Sequence, residues 1–163
     1  MSKSALEKVT SKFGDVILSS HAQHGNETVV IAPENWLLLA TYCKDTLGFN
    51  MMSDLTVVDY LGQVDAPRFE VVLHIYSLAT KERLRIKTRP VDDDAPEIAS
   101  LFPVWPAANW LEREAWDLYG VKFTGHPDLR RILMYDEFVG HPLRKDYPKE
   151  KRQPLSRRPP AET

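Results

Sequence analysis

Two stretches of the chain alternate apolar and polar residues with a period of two: Phe69, Val71, Leu73 and Ile75, then Leu84, Ile86 and Thr88. That spacing belongs to a pleated strand with one packed face, and a helix cannot present it. A third apolar run, Leu55–Leu61, precedes them. The middle of the chain is therefore predicted to be sheet. The free face of the last strand carries Arg83, Arg85, Lys87 and Arg89. Four like charges on one strand face either solvate or meet an acidic surface, and solvation is the commoner case.

The flanks read as helices and a hairpin. Leu6, Val9 and Phe13 share one side of a helix over residues 3–13, with Gly14 as its stop. Val16–Ser19 and Thr28–Ile31 pair across the turn-like stretch His21–Asn26. Pro33 opens a helix carrying Trp36, Leu39, Ala40, Cys43 and Leu47, which Gly48 ends. Asp92, Asp93 and Asp94 lead into a short helix predicted over Ala95–Phe102, with acids at its positive end. Pro103 and Pro106 interrupt the chain before a helix over Ala107–Tyr119, stopped by Gly120. Beyond it, Pro127, Pro142, Pro148, Pro154, Pro159 and Pro160 forbid long helices. The architecture expected is α+β and two-layered. A mixed β-sheet of about five strands has helices on one face, within residues 1–120. A long irregular C-terminal extension, residues 121–163, follows.

Composition removes several functions. The 163 residues suit one domain, and a net charge of −2 provides no chain-wide basic field for nucleic acid. Cys43 is the only cysteine, so neither a disulfide nor a cysteine-based cluster can be built within the chain. The longest apolar run, Trp36–Cys43, falls far short of the ~20 residues that span a bilayer. The start has neither an apolar signal core nor an Arg-rich presequence, so a membrane is expected to be reached only through partners.

The stretch after Pro106 is the most informative. On the predicted helix, Leu111, Ala115 and Leu118 form one apolar stripe, while Trp116 and Tyr119 lie on another side with Glu112. An isolated surface helix needs one stripe. The second packs under the C-terminal segment of the same chain or against another chain, and both readings stay open. Arg113 and Asp117 stand at i,i+4 and are positioned to pair. Gly-His-Pro then occurs twice, at 125–127 and 140–142, each followed by a leucine and a basic pair. Gly-X-Pro makes turns, and irregular backbone must find hydrogen-bond partners outside itself. Arg130, Arg131, Arg144 and Lys145, with Asp128 and Asp146 nearby, supply charge-assisted bonds. A metal-dependent hydrolase using His126, Asp128, His141 and Asp146 is disfavoured, because the histidines lack i,i+4 spacing and sit beside cations. A nucleic-acid module on the basic strand lacks interleaved aromatics for stacking.

The order Glu112-Arg113-Glu114, Asp117-Leu118-Tyr119-Gly120, Gly125–Leu133 and Gly140–Tyr147 resembles the signature of the 30-kDa-type (C-type) peripheral-arm family of respiratory NADH:quinone oxidoreductase, complex I. Leu55–Tyr60, Phe69–Ser77, Leu84–Lys87 and Pro106–Trp110 resemble its upstream segments, so the likeness covers about residues 30–148, and residues 110–148 match without gaps. The resemblance implies a peripheral subunit of the hydrophilic arm, without an active site of its own, on the cytoplasmic face of a bacterial inner membrane or the matrix side of an organelle. It implies no flavin, iron–sulfur cluster, metal or quinone bound by this chain, with FMN and iron–sulfur clusters held by partner subunits. The expected partners are the large quinone-cavity subunit and the iron–sulfur subunits, on which the extension would pack. Related subunits serve F420H2 dehydrogenases, plastid-type NDH complexes and energy-converting hydrogenases, which is the alternative reading. The residues expected to carry the interface or knit the segment are Glu112, Arg113, Glu114, Trp116, Asp117, His126, Asp128, Arg130, Arg131, His141, Arg144, Lys145 and Asp146. The tail 149–163, with five Lys or Arg, two acids and three prolines, is expected to be disordered alone and ordered over a neighbour.

Overall fold

The computed structural model describes residues 4–63 and 67–153. Helix α1, Ala5–Phe13, begins with a capping box: the Ser4 hydroxyl accepts the Glu7 N–H, and the Glu7 carboxylate accepts the Ser4 N–H. Strands β1, Ile17–His21, and β2, Thr28–Ile31, form the expected antiparallel hairpin. Pro33 opens a 3-10 turn that leads into α2, Trp36–Asp45. Strands β3, Met51–Asp59, β4, Phe69–Tyr76, and β5, Arg83–Thr88, follow as an antiparallel meander.

The crossover through α2 places β2 parallel to β5, so the five-stranded sheet is mixed, in the order β1-β2-β5-β4-β3. Its packed face presents Val29, Ile31, Leu55, Val57, Phe69, Val71, Leu73, Ile75, Leu84 and Ile86 to one core. Ala5, Val9 and Phe13 of α1 and Trp36, Leu39, Ala40 and Cys43 of α2 close that core from the helical side.

Three expectations change. Ala95–Phe102 is not a helix: Glu97–Ala99 is strand β6, parallel to β7, Lys122–Thr124. Prolines at 96 and 103 leave too few residues for a stable helical nucleus, and Lys122 N–H and Thr124 O take up the extended backbone at Pro96 and Ser100. Strand β7 also lies within the stretch expected to lack regular structure. Thirdly, the outer sheet face is not a row of four free cations. Lys87 and Arg89 both bond the nearly buried Glu70 carboxylate, at 2.8 and 3.2 Å. The cations reach an acid of the adjacent strand because β4 and β5 pair side by side, a contact no local pattern displays.

Helix α3, Ala108–Tyr119, follows the proline-broken turn at 101–106. Gly120 ends it with φ +77°, and its N–H bonds Trp116 O. A side chain there would be strained, and its Cβ would stand 2.6 Å from the Arg144 guanidinium and the His141 ring.

Candidate functional site

Helix α3 lies between the sheet and a strap formed by residues 125–153. Asp117, fully buried, is the centre of their junction. One carboxylate oxygen accepts the Arg131 guanidinium at 2.5 Å. The other accepts three successive backbone N–H groups, from Ile132, Leu133 and Met134, at 2.8–3.0 Å. Consecutive N–H groups aimed at one point form a nest for an anion. Burial alone would raise the Asp117 pKa, but these donors outweigh it and hold the carboxyl below its usual range. Arg131 also donates to the carbonyls of Phe138 and Gly140, while lying over the Trp116 and Phe138 rings. One ion pair thus anchors the helix, the first half of the strap and its return.

The predicted i,i+4 pair of Arg113 with Asp117 does not form. Arg113 instead donates to the carbonyls of Arg130 and Arg131 and lies over Trp110. A buried carboxylate gains more from four convergent donors than from one neighbour on its own helix, and Arg113, itself nearly buried, is held by the strap carbonyls. His126 accepts the Asp128 N–H at Nδ1, and so donates from Nε2 to Asn109 O. His141 donates from Nδ1 to Asp117 O, edge-on to Trp116. Its burial, reinforced by Arg144 and Arg131, depresses its pKa against the opposing pull of that bond. Both histidines hold turns, and among the described residues no group of three or more His, Cys, Asp or Glu is arranged to hold a metal.

A second junction ties the strap to the sheet. Arg68 donates to both oxygens of Asp59 at 2.6–2.7 Å and to both oxygens of Asp146 at 2.9–3.0 Å. The Lys145 N–H adds a bond to Asp59, and the Arg68 and Arg144 guanidiniums lie within 5.0 Å of the Phe69 ring centre. Arg144 also donates to Tyr119 O. Sequence patterns did not single out Asp59 or Arg68. The only signal was the position of Asp59 at the end of the Leu55–Tyr60 strand segment, because the pairing spans 86 positions to Lys145.

The remaining expected residues divide. Trp116 is half-buried beneath the strap, so the second stripe of α3 is covered by the chain itself. Arg130 pairs with Asp128 at 2.9 Å, but both are exposed, which limits that pair to about 1 kcal/mol or less. Glu114 points to solvent, and the Lys145 side chain is exposed.

Glu112 faces the opposite way and is fully buried. It accepts the Ser100 hydroxyl and the Leu101 N–H, each at 2.6 Å, which fixes the turn before α3. Burial pushes its carboxyl up to about 7, although both bonds pull downward. The folded value lies above the unfolded one, so the stabilisation is complete below about pH 4.5 and is lost as pH rises through about 7. The span is worth about 3 kcal/mol. The urea midpoint of the chain should fall between about pH 4.5 and 7, and Glu112→Gln should flatten that slope. An unchanged slope in the variant would remove Glu112 as its origin.

The model of the family "Respiratory-chain NADH dehydrogenase, 30 Kd subunit" matches residues 29–153. The C subunit of the NADH-quinone oxidoreductase of Geotalea uraniireducens is 49% identical over 144 residues, spanning 88% of this chain and 86% of that one. Its counterpart in Geobacter sulfurreducens is also 49% identical, with 88% of each covered. A solved trypsin-resistant fragment (1–134) of Nqo5 superposes with a TM-score of 0.66 at 31% identity, covering 76% of this chain and 96% of that one. A chain of the membrane-bound sulfane sulfur reductase, an archaeal respiratory membrane complex, shares the fold with a TM-score of 0.75 at 21% identity, covering 89% and 84%. The chain belongs to the 30-kDa subunit family of respiratory NADH dehydrogenases.

Proposed function

We propose that this chain is a structural and assembly subunit, without an active site of its own, in the hydrophilic arm of a proton-translocating NADH:quinone oxidoreductase. On this reading FMN and the iron–sulfur clusters reside in partner subunits. The chain packs against the quinone-cavity and iron–sulfur subunits, on the cytoplasmic face of a bacterial membrane. Its membrane contact runs through partners, and no helix among the described residues is long and apolar enough to cross a bilayer.

The observation that supports this reading is the polarity of the strap. Its Arg131 and Asp146, and its N–H groups at Ile132, Leu133, Met134 and Lys145, turn inward to Asp117, Arg68 and Asp59. Its large apolar residues Leu133, Val139 and Leu143, together with Trp110 at the start of α3, are 50–67% exposed. An irregular segment whose polar groups bond inward to its own domain while apolar side chains face outward is built to be covered. Of the tail expected to order over a neighbour, residues 154–163 lie outside the described residues.

A Val139→Glu and Leu143→Glu double variant tests the proposal. The isolated chain should keep its melting temperature, because both positions are exposed. The chain recovered in gently solubilised complex should fall several-fold, while NADH:quinone activity per assembled complex stays unchanged. Full assembly with lost quinone reduction would overturn the structural reading and assign the strap a direct role in electron transfer. The archaeal neighbour supports the fold of a related complex as a second reading, and the donor dehydrogenase that co-purifies decides between them.

A further inference from the structure

The outer sheet face carries a feature that the strap does not use. Strand pairing aligns a row across five strands: His21, Thr28, Arg85, His74 and Asp54. The next row at one end pairs Arg83 with Tyr76 and Met51. Met51, Ser53, Asp54, His74, Tyr76 and Arg83 line a groove of about 520 Å³ that runs to the free edge of β3, and Arg85 stands next to His74 at its margin. The register shift between Met52 and Asp54 interrupts the edge there, and such bulges re-aim side chains beside binding sites.

The charges in this region are unequal in their engagement. Lys87 and Arg89 are taken by Glu70. Glu82 is paired with Lys8, and the Glu27 carboxylate accepts the Leu6 N–H. Among the described residues, Arg83 and Arg85 have no carboxylate partner. Arg83 lies over the Tyr76 ring at 5.6 Å, which holds its guanidinium against the sheet. Burial and then Arg85 hold the His74 pKa below its usual range, with Asp54 opposing and Lys87 reinforcing.

We infer that this groove receives an extended acidic segment of a neighbouring subunit, with two carboxylates two residues apart bound by Arg83 and Arg85. The inference rests on the proposed assembly role. Positions i and i+2 on one strand face lie about 6.6 Å apart, the same repeat as alternate side chains of an extended partner. Guanidinium pairs with carboxylate in bidentate geometry, and the apolar walls from Met51 and Tyr76 accommodate the stem of such a segment. The surface suits other anions less well. A membrane patch uses clusters of about 4–8 basic residues, whereas this one has two that are uncommitted. A nucleic-acid strand needs open aromatic platforms, and the Tyr76 ring is already occupied by Arg83.

An Arg83→Lys and Arg85→Lys variant of the full chain, assembled into the complex, allows zero-length carbodiimide coupling of amine to carboxylate. Mass spectrometry should find an adduct joining the substituted positions to an Asp or Glu of another subunit. An Arg83→Glu and Arg85→Glu variant should leave the complex at about tenfold lower salt than the parent, since exposed pairs are screened with a Debye length of ~10 Å at 0.1 M. Lys122→Glu, elsewhere on the surface, should not. An assembly containing the lysine variant with no inter-subunit adduct would overturn this inference. So would binding of the isolated parent chain to phosphatidylglycerol vesicles that the glutamate variant abolishes, which would assign the patch to a membrane. A parent chain that never enters the complex would instead overturn the assembly role itself.

Discussion

Asp117→Ala should release the strap from α3 and destabilise the chain by about 3–5 kcal/mol. The carboxylate is fully buried and receives four donors from the strap. Its removal leaves the Arg131 guanidinium, only 12% exposed, as an unpaired charge, together with three backbone N–H groups that lose their acceptor. Each loss is of the kind that dominates large mutational effects. The urea midpoint should drop accordingly. Amide exchange at Ile132, Leu133 and Met134 should accelerate far more than in the sheet, since these N–H groups depend on Asp117 alone. Trypsin should gain access at Arg130 and Arg131. Asp117→Asn keeps an acceptor but not the charge, so it should fall between. Asp128→Ala, which breaks an exposed pair, should stay within about 1 kcal/mol. Equal midpoints for Asp117→Ala and Asp128→Ala would refute the assignment of Asp117 as the anchor.

Arg68→Ala should have an effect of similar size, about 3–5 kcal/mol, for a different reason. It strands Asp59, whose side chain is 2% exposed, and frees Asp146 at the far end of the strap. The two carboxylates should separate in a double-mutant cycle. Coupling of Arg68 to Asp59 should be large, and coupling to Asp146, 52% exposed, should be within about 1 kcal/mol. Burial alone would raise the Asp59 pKa, but Arg68 and the N–H groups of Lys145 and Leu61 hold it at about 2. The folded value lies below the unfolded one. That stabilisation is therefore present above about pH 4 and lost as pH falls through about 2, a span worth about 2 kcal/mol. Acid unfolding of Arg68→Ala should lose this component. An acid limb identical to that of the parent would sink the claim.

Much of the architecture was legible because it is local. Period two at Phe69–Ile75 and Leu84–Thr88 specified strands, and Pro33, Pro106 and Gly120 delimited helices. Ala95–Phe102 misled because acids ahead of an apolar pair imitate a helix start, while its actual partner, β7, lies more than twenty residues further on. The basic stripe misled for the same reason: Glu70 sits on a neighbouring strand, and its one carboxylate is shared by two of the four cations.

The candidate site divides along the same line. Composition and motif placed the strap, named Asp117, Arg131, His126 and His141, and identified the family from residues 110–148. They did not choose partners. Sequence spacing favoured Arg113 for Asp117, whereas the folded chain supplies Arg131 and a nest of three N–H groups from fourteen to seventeen positions away. Nor did the sequence show that the strap's polar groups find partners within the same chain, because Arg68 and Asp59 reach it only when β3 and β4 are paired beneath it. Periodicity and turn chemistry act over a few residues and are written directly in the chain. Desolvated charge pairing depends on which distant segments meet, and that is decided only when the core has formed.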